Sequence, residues 1–242
     1  MTKGNAFLEA LSASIPGRLA IVEEDRESHD VLIEADEPTE WLYFPHRGAM
    51  ISLTRSADSG ATVEVGIVGY EGLATMHALL APNSIGAEGI VQLGGAFSRV
   101  SLSEIRDLMN DNENARELIF AYAGAFLSQV SQHALCNRLH TIEQRLAKWL
   151  LGVRDRIDTD EIGLTHDFLS HMLGIRRSGV TVAIGALALD GLIRHSRNSI
   201  TIRDREGLEG RSCECYEVIV EATRPLLERL QRTTSAPVRQ AQ

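Results

Sequence analysis

The chain has 242 residues, 24 lysines and arginines against 33 aspartates and glutamates, and a formal net charge of −9. That is enough chain for one large domain or two ordinary ones, and its overall acidity works against non-specific attraction to nucleic acid. No run reaches the roughly 18–20 apolar residues that span a bilayer, and the N-terminus has no basic segment followed by an apolar core. Three cysteines make no disulfide framework, so a cytoplasmic protein with no membrane partner is expected.

Phe7–Leu19 fits a short amphipathic helix, broken at Pro16-Gly17. From Ile21 to about Ser103 short apolar runs are punctuated by glycine. Strands are expected at Val31–Ile33, Glu40–Phe44 and Ala49–Leu53, and TVEVGIVGYEG and GIVQLGGAFSRVS continue the pattern. Turn signals at intervals of roughly eight to twelve residues read as a sandwich or small barrel. Gly66, Gly69 and Gly72 superficially suggest a phosphate loop, but no Lys-Ser/Thr follows them, so they read as turns between strands. His29, His46 and His77 stand singly, without metal-ligand spacing, and no metal or cofactor site is assigned. The sequence has no G-x-S-x-G elbow, no H-E-x-x-H and no Walker loop, so no catalytic residue is named and no enzyme is expected.

LSEIRDLM reads as a short helix starting at Ser103, and Asn114–Cys136 as a long one. Its apolar residues lie on adjoining stripes, broad enough to cover the strand domain on one side and a partner helix on the other. Leu118, Tyr122 and Phe126 are taken as the dimerisation stripe, and Ala121, Ala123, Gly124 and Ala125 would allow close approach. A bend near Asn137-Arg138 leads into HTIEQRLAKWLLGVRDRI, a helix with Leu146, Trp149, Leu150 and Leu151 facing a second core. RDRIDTDEIG reads as a charged loop.

Leu164–Ile193, LTHDFLSHMLGIRRSGVTVAIGALALDGLI, reads as two helices about a tight turn. Thr165 caps the first, Phe168, Leu169, Met172 and Leu173 give it a buried face, and Gly174 ends it in the left-handed conformation. The second starts at Arg176, Arg177 and Ser178 and has an apolar face of Val180, Ile184, Leu187 and Ala188. Such a pair is a helix-turn-helix, whose second helix meets base edges with its N-terminal residues. RHSRN and the alternating SITIR follow as a basic hairpin, which makes the unit a winged helix-turn-helix. Leu164–Arg205 carries six arginines and three aspartates, net +3, which leaves −12 on the rest.

This stretch resembles the C-terminal DNA-binding domain of the Crp/Fnr family of bacterial transcription regulators, and the resemblance extends upstream at lower specificity. It implies an α+β fold: an N-terminal β-roll like a cyclic-nucleotide-binding domain at 1–113, a dimerisation helix at 114–137, and the winged helix-turn-helix at 138–232. A disordered tail is expected at 233–242, and Tyr216–Leu230 forms a last helix interrupted or started at Pro225. The implied function is a homodimeric, sequence-specific regulator on a near-palindromic double-stranded DNA site, with RNA polymerase as a further partner. Arg176, Arg177, Ser178 and Val180 would face bases, and Arg194, Arg197 and Arg203 would hold phosphates. Two departures matter. Ser178 and Gly179 follow Arg177 where better-known members have Glu and Thr, so their sequence preference does not carry over. Leu73 stands where the family's cyclic-nucleotide cassette has Glu, and no arginine lies between Arg55 and Arg99, so no dependence on cyclic nucleotide is expected.

An iron–sulfur member would need about four cysteine ligands; here there are Cys136, Cys213 and Cys215. Cys213-Glu-Cys215 alone is an incomplete metal site, and its redox activity depends on a thiol environment that sequence does not show. Two alternatives stay open: a metal-dependent β-roll enzyme of cupin type, and an effector sensor acting through protein partners.

Overall fold

The computed structural model describes residues 4–81 and 86–235. The fold is α+β, with every strand pairing antiparallel. It opens with α1 (Ala6–Ala13), shorter than the expected helix. Asn5 caps α1 by accepting from the Leu8 N–H at 2.8 Å, and its amide nitrogen donates to Pro45 and Gly72 carbonyls, so the cap also anchors α1 to the strands. The strands β1 (Val22–Arg26), β2 (Val31–Ile33), β3 (Trp41–Pro45), β4 (Met50–Ser56) and β5 (Thr62–Val68) follow. After the short α2 (Met76–Leu80) come β6 (Glu88–Leu93) and β7 (Gly95–Ser101). They form two sheets in the orders β1-β7-β3 and β2-β6-β4-β5. β1 was not foreseen, because VEEDR is polar and largely exposed on an edge.

α3 (Leu102–Asp111) leads into α4 (Glu113–Leu139), capped by Asn112 accepting from the Ala115 N–H. The chain turns at His140, slightly beyond the expected bend. Thr141 and Gln144 form a reciprocal capping box that starts α5 (Ile142–Ile157). Then come β8 (Glu161–Gly163), α6 (His166–Leu173), α7 (Arg177–Leu189), β9 (Ile193–His195), β10 (Ser199–Ile202), α8 (Arg205–Arg211) and α9 (Cys215–Ser235). β8 lies in the segment read as a charged loop; its Ile162 is fully buried, and it pairs with β10. α9 runs straight through Pro225. Leu226 and Leu230 are buried beside Phe7, Leu118 and Tyr122, and this packing overrides the roughly 3 kcal/mol a mid-helix proline costs. Residues 233–235, given to a tail by sequence, end α9; the rest of that tail lies outside the described residues. Among the described residues no single helix is long and apolar enough to cross a membrane.

The three glycines of VGIVGYEG are sites of close packing against the helices. A Cβ on Gly72 would sit 2.2 Å from the Tyr122 ring of α4. One on Gly66 would meet Phe126 at 3.0 Å, and one on Gly69 would strike Glu71 and Arg156. The strand domain can therefore draw α4 and α5 closer than any side chain at these positions would permit.

Where β5 meets α5 the contact is polar and buried. Arg156 Nε donates to Glu71 Oε1 at 2.7 Å. Trp149 Nε1 donates to Glu64 Oε1 at 3.0 Å, and Glu64 Oε2 lies 2.7 Å from the Ser52 hydroxyl. Ser52 also faces the Gln92 side-chain oxygen but has one proton to give. Ser52 gives that proton to Glu64 Oε2. Burial pushes the Glu64 carboxyl up to about 7, against the opposing pull of Ser52, Lys148, Trp149 and Arg156.

A raised carboxylate pKa means that the folded state holds a proton the unfolded chain has lost. Glu64's contribution is thus present below its ordinary value of 4.5 and is lost as pH rises through about 7. Glu64→Gln keeps the shape and removes the titration. Urea unfolding should find the variant more stable at about pH 8, by up to the order of 3 kcal/mol, and little changed at about pH 5. An unaltered slope of stability with pH in the variant would discard this account.

Candidate nucleic-acid interface

The helix-turn-helix is built by local signals. Thr165 accepts from the Phe168 N–H and starts α6; Gly174, at φ +61°, ends it and turns the chain by 105° into α7. The buried face of α7 is Val180, Ala183, Ile184 and Leu187, packed on Leu169, Met172 and Leu173 of α6 and on Trp149 and Leu150 of α5. Its outward face is Arg177, Ser178, Thr181, Val182, Gly185 and Leu189, with Arg176 just before it. Val180 is fully buried. Its place among the base-facing residues is therefore corrected: it belongs to the core, and Thr181 and Val182 take the solvent side. Val182 is 65% exposed, an apolar side chain suited to a thymine methyl.

Arg177 makes an ion pair with Asp167 at 3.2 Å, with both side chains about two-thirds exposed. Such a pair is worth at most about 1 kcal/mol and is readily exchanged for a phosphate or a guanine edge. Thr181 Oγ1 stands 3.3 Å from His166 Nδ1, which links α7 to the start of α6. The wing is β9–β10, with β8 on its other side. Its turn is closed by the Ser196 N–H donating to the Ser199 carbonyl at 2.8 Å. Arg194, Arg197 and Arg203 are exposed, and among the described residues neither they nor Arg176 form an ion pair. Arg205, the sixth arginine of the basic segment, is engaged elsewhere. It binds Asp155 at 2.7 Å, Glu209 and the Tyr216 hydroxyl, and these partners push its pKa up. Asp190 is taken by Arg211, and Asp204 caps α8. The positive charge thus concentrates on the α7 start and the wing.

Residues 144–211 match the family model described as the Crp-like helix-turn-helix domain. Those residues thus carry a Crp-like helix-turn-helix domain, on a fold shared with solved Crp/Fnr-family structures. The fold of nearly the whole chain agrees. FixK2 of Bradyrhizobium japonicum superposes with a TM-score of 0.68 at 17% identity, covering 81% of this chain and 98% of that one. A Crp/Fnr-family regulator from Eubacterium rectale gives 0.64 at 15% identity, over 85% and 93% of the two chains. The c-di-GMP-responsive global regulator CLP of Xanthomonas campestris gives 0.61 at 14%, over 81% and 97%. No curated protein sequence matches the chain.

Leu118 and Tyr122 of α4 are buried within one chain, against α1, α9 and the strand domain, and Phe126 is partly buried beside them. Leu118 and Tyr122 are therefore not open to a partner chain as expected, and the exposed apolar residues of α4, Phe120 and Leu127, lie elsewhere on the helix. His46 is 2.8 Å from Ser98 Oγ, while His29 packs edge-on against Phe168 of α6. They do not converge with each other on a metal-binding group among the described residues. Beneath α4 and α5 lies a cavity of about 200 Å³ with Glu64, His133, Lys148, Trp149 and Arg156 in its wall. Burial and the neighbouring Lys148 and Arg156 hold His133 well below the usual imidazole range, so it stays neutral there.

The burial contrast along α7 has a direct readout. Val180→Ala should cost about 2 kcal/mol of unfolding free energy, whereas Val182→Ala should leave thermal stability unchanged. Equal losses in the two variants would mean that the phase of α7 is misassigned.

Proposed function

We propose that the protein is a homodimeric transcription regulator that binds a near-palindromic DNA site without requiring a cyclic nucleotide. The observation that carries this reading is the exposed basic surface formed by the start of α7 and the wing, where Arg176, Arg194, Arg197 and Arg203 have no ion-pair partner among the described residues, on a molecule that is otherwise acidic. In a helix-turn-helix placed in the major groove, Arg176, Arg177 and Ser178 reach base edges, while Arg194, Arg197 and Arg203 lie along the phosphates.

The dimer rests on what α4 leaves uncovered. Phe120, Gly124, Leu127, Ser131 and Leu135 are exposed at spacings of three or four residues, and Phe120 and Leu127 are each more than half exposed. This is the seam spacing of a coiled coil, with glycine at a position where two helices can come close. The β-roll reading without cyclic nucleotide is supported by the interior. Leu73 is buried in the apolar cluster with Phe7, Leu11 and Tyr122, and the Tyr122 hydroxyl donates to the Leu73 carbonyl at 2.8 Å. A ribose would find a leucine and no acceptor there, and a phosphate no arginine.

An operator selected from random duplexes provides the test. Arg176→Ala and Arg177→Ala should each cost about 1–3 kcal/mol of binding and relax specificity at one position per half-site. Cyclic AMP and cyclic GMP should leave the wild-type affinity unchanged. Full affinity in both arginine variants, or tightening by either nucleotide, would contradict the proposal.

Assembly is checked apart from DNA. Sedimentation at micromolar concentration should give twice the 26.6 kDa chain mass. Leu127→Asp should yield a folded monomer, because the carboxylate would enter the apolar seam only on dimerisation. A variant that remains dimeric would place the interface elsewhere.

A further inference from the structure

The three cysteines, which sequence left as an incomplete set, converge with a histidine. Cys136 and His140 lie four residues apart at the C-terminal end of α4, and Cys213 and Cys215 flank the corner between α8 and α9. Their ligand atoms all lie within 4.8 Å of one another. The Cys136 and Cys213 sulfurs are 3.6 Å apart, and Cys215 Sγ is 3.4 Å from His140 Nδ1. We propose that Cys136, His140, Cys213 and Cys215 form a binding site for one divalent cation of the zinc class.

The dimensions favour a single ion. A tetrahedral ion bonded at about 2.3 Å to sulfur and about 2.0 Å to imidazole nitrogen spaces its ligand atoms roughly 3.4–3.8 Å apart. An iron–sulfur cluster spreads its cysteines wider, because several irons stand between them. Three thiolates and an imidazole are also a soft donor set, of the kind that selects zinc over calcium or magnesium.

The surroundings are those of a metal site as well. His140 Nε2, the nitrogen turned away from Cys215, stands 3.2 Å from Glu214 Oε1. That carboxylate accepts a hydrogen bond from Nε2–H, the tautomer that leaves Nδ1 free to bind an ion. Gln132 Nε2 donates to Cys215 Sγ at 3.2 Å. Three thiolates around a divalent ion retain one negative charge, and Arg145 is the cation placed to meet it. Arg145 is buried, bonded to Asn137 Oδ1 and the Leu173 carbonyl, and among the described residues it has no carboxylate partner. Burial lowers the Arg145 pKa, and Cys136 and Cys213 are the neighbours that oppose that lowering.

Position gives the site its consequence. His140 is the residue at which α4 ends and the chain turns towards α5. An ion there would pin the foot of the long helix to the α8–α9 corner of the DNA-binding unit, fixing the hinge between the two. Both Cys213 and Cys215 are buried, and a bound ion would keep all three thiols from oxidation.

The test uses the 242-residue chain produced with zinc in the medium. Native mass spectrometry should find one zinc per chain. Replacement by cobalt should give a thiolate-to-cobalt charge-transfer band and the intense visible bands of a tetrahedral ion. Cys215→Ser and His140→Ala should each lose the stoichiometric ion. Should either variant fold poorly, cobalt titration of the metal-stripped wild type carries the same test. Chelation should lower the thermal midpoint and make all three thiols reactive. No zinc and no cobalt band in well-folded wild type would overturn the site, as would a Cys136–Cys213 disulfide in place of an ion. Both results are read without DNA, so they are independent of whether the operator reading stands.

Discussion

The close approach of α4 to the glycine edge of the strand domain is the constraint on which the rest of the molecule depends. Tyr122 lies where any side chain at residue 72 would be. Once that ring is seated, the rotation of α4 about its axis is fixed along its whole length. Two turns on from Tyr122 comes Gln129, whose side-chain oxygen accepts from the Ile67 N–H at 2.7 Å, and two turns further comes Cys136. All three are buried on one stripe. The same rotation turns Phe120 and Leu127 outward. A single steric contact thereby decides which residues meet the β-roll, which are free for a second chain, and which reach the α8–α9 corner.

The second organising feature is the polar character of the junction between strand domain and α5. The Glu71–Arg156 pair and the Glu64–Trp149 hydrogen bond are both buried. Such pairs add little net stability over an apolar contact, yet each is satisfied only in one relative position of its partners. Arg47 adds a third tie, lying 3.6 Å over the Tyr70 ring and paired with Asp158 at the end of α5. The placement of the helix-turn-helix against the β-roll is thus specified by directional bonds, while its internal packing is apolar.

What could be read from sequence was what is encoded locally. Thr165, Gly174 and the apolar spacing of α6 and α7 each act within a few residues, and the structure has them in those roles. The buried position of Val180 was equally visible, since it falls in step with Ile184 and Leu187; residence near the helix start was mistaken for exposure. The phase of α4 was beyond reach because Leu118, Ile119, Phe120, Tyr122, Phe126 and Leu127 are apolar on every side. Periodicity identifies an apolar stripe but does not say which neighbour will cover it. The Cys136–Cys213 approach joins residues 77 apart in sequence, and only the tertiary fold brings them together.

α9 is the last helix among the described residues, yet it packs against α1, the first of them, and Arg229 reaches Glu117 of α4 at 2.9 Å. Leu226 and Leu230 are thus part of the core of the N-terminal half. That half therefore lacks a wall of its interior until α9, far beyond β7 in the chain, has been synthesised. During translation the apolar face of the strand domain stays open until α9 emerges. A fragment cut after α4 would carry the β-roll without the helix that seals it.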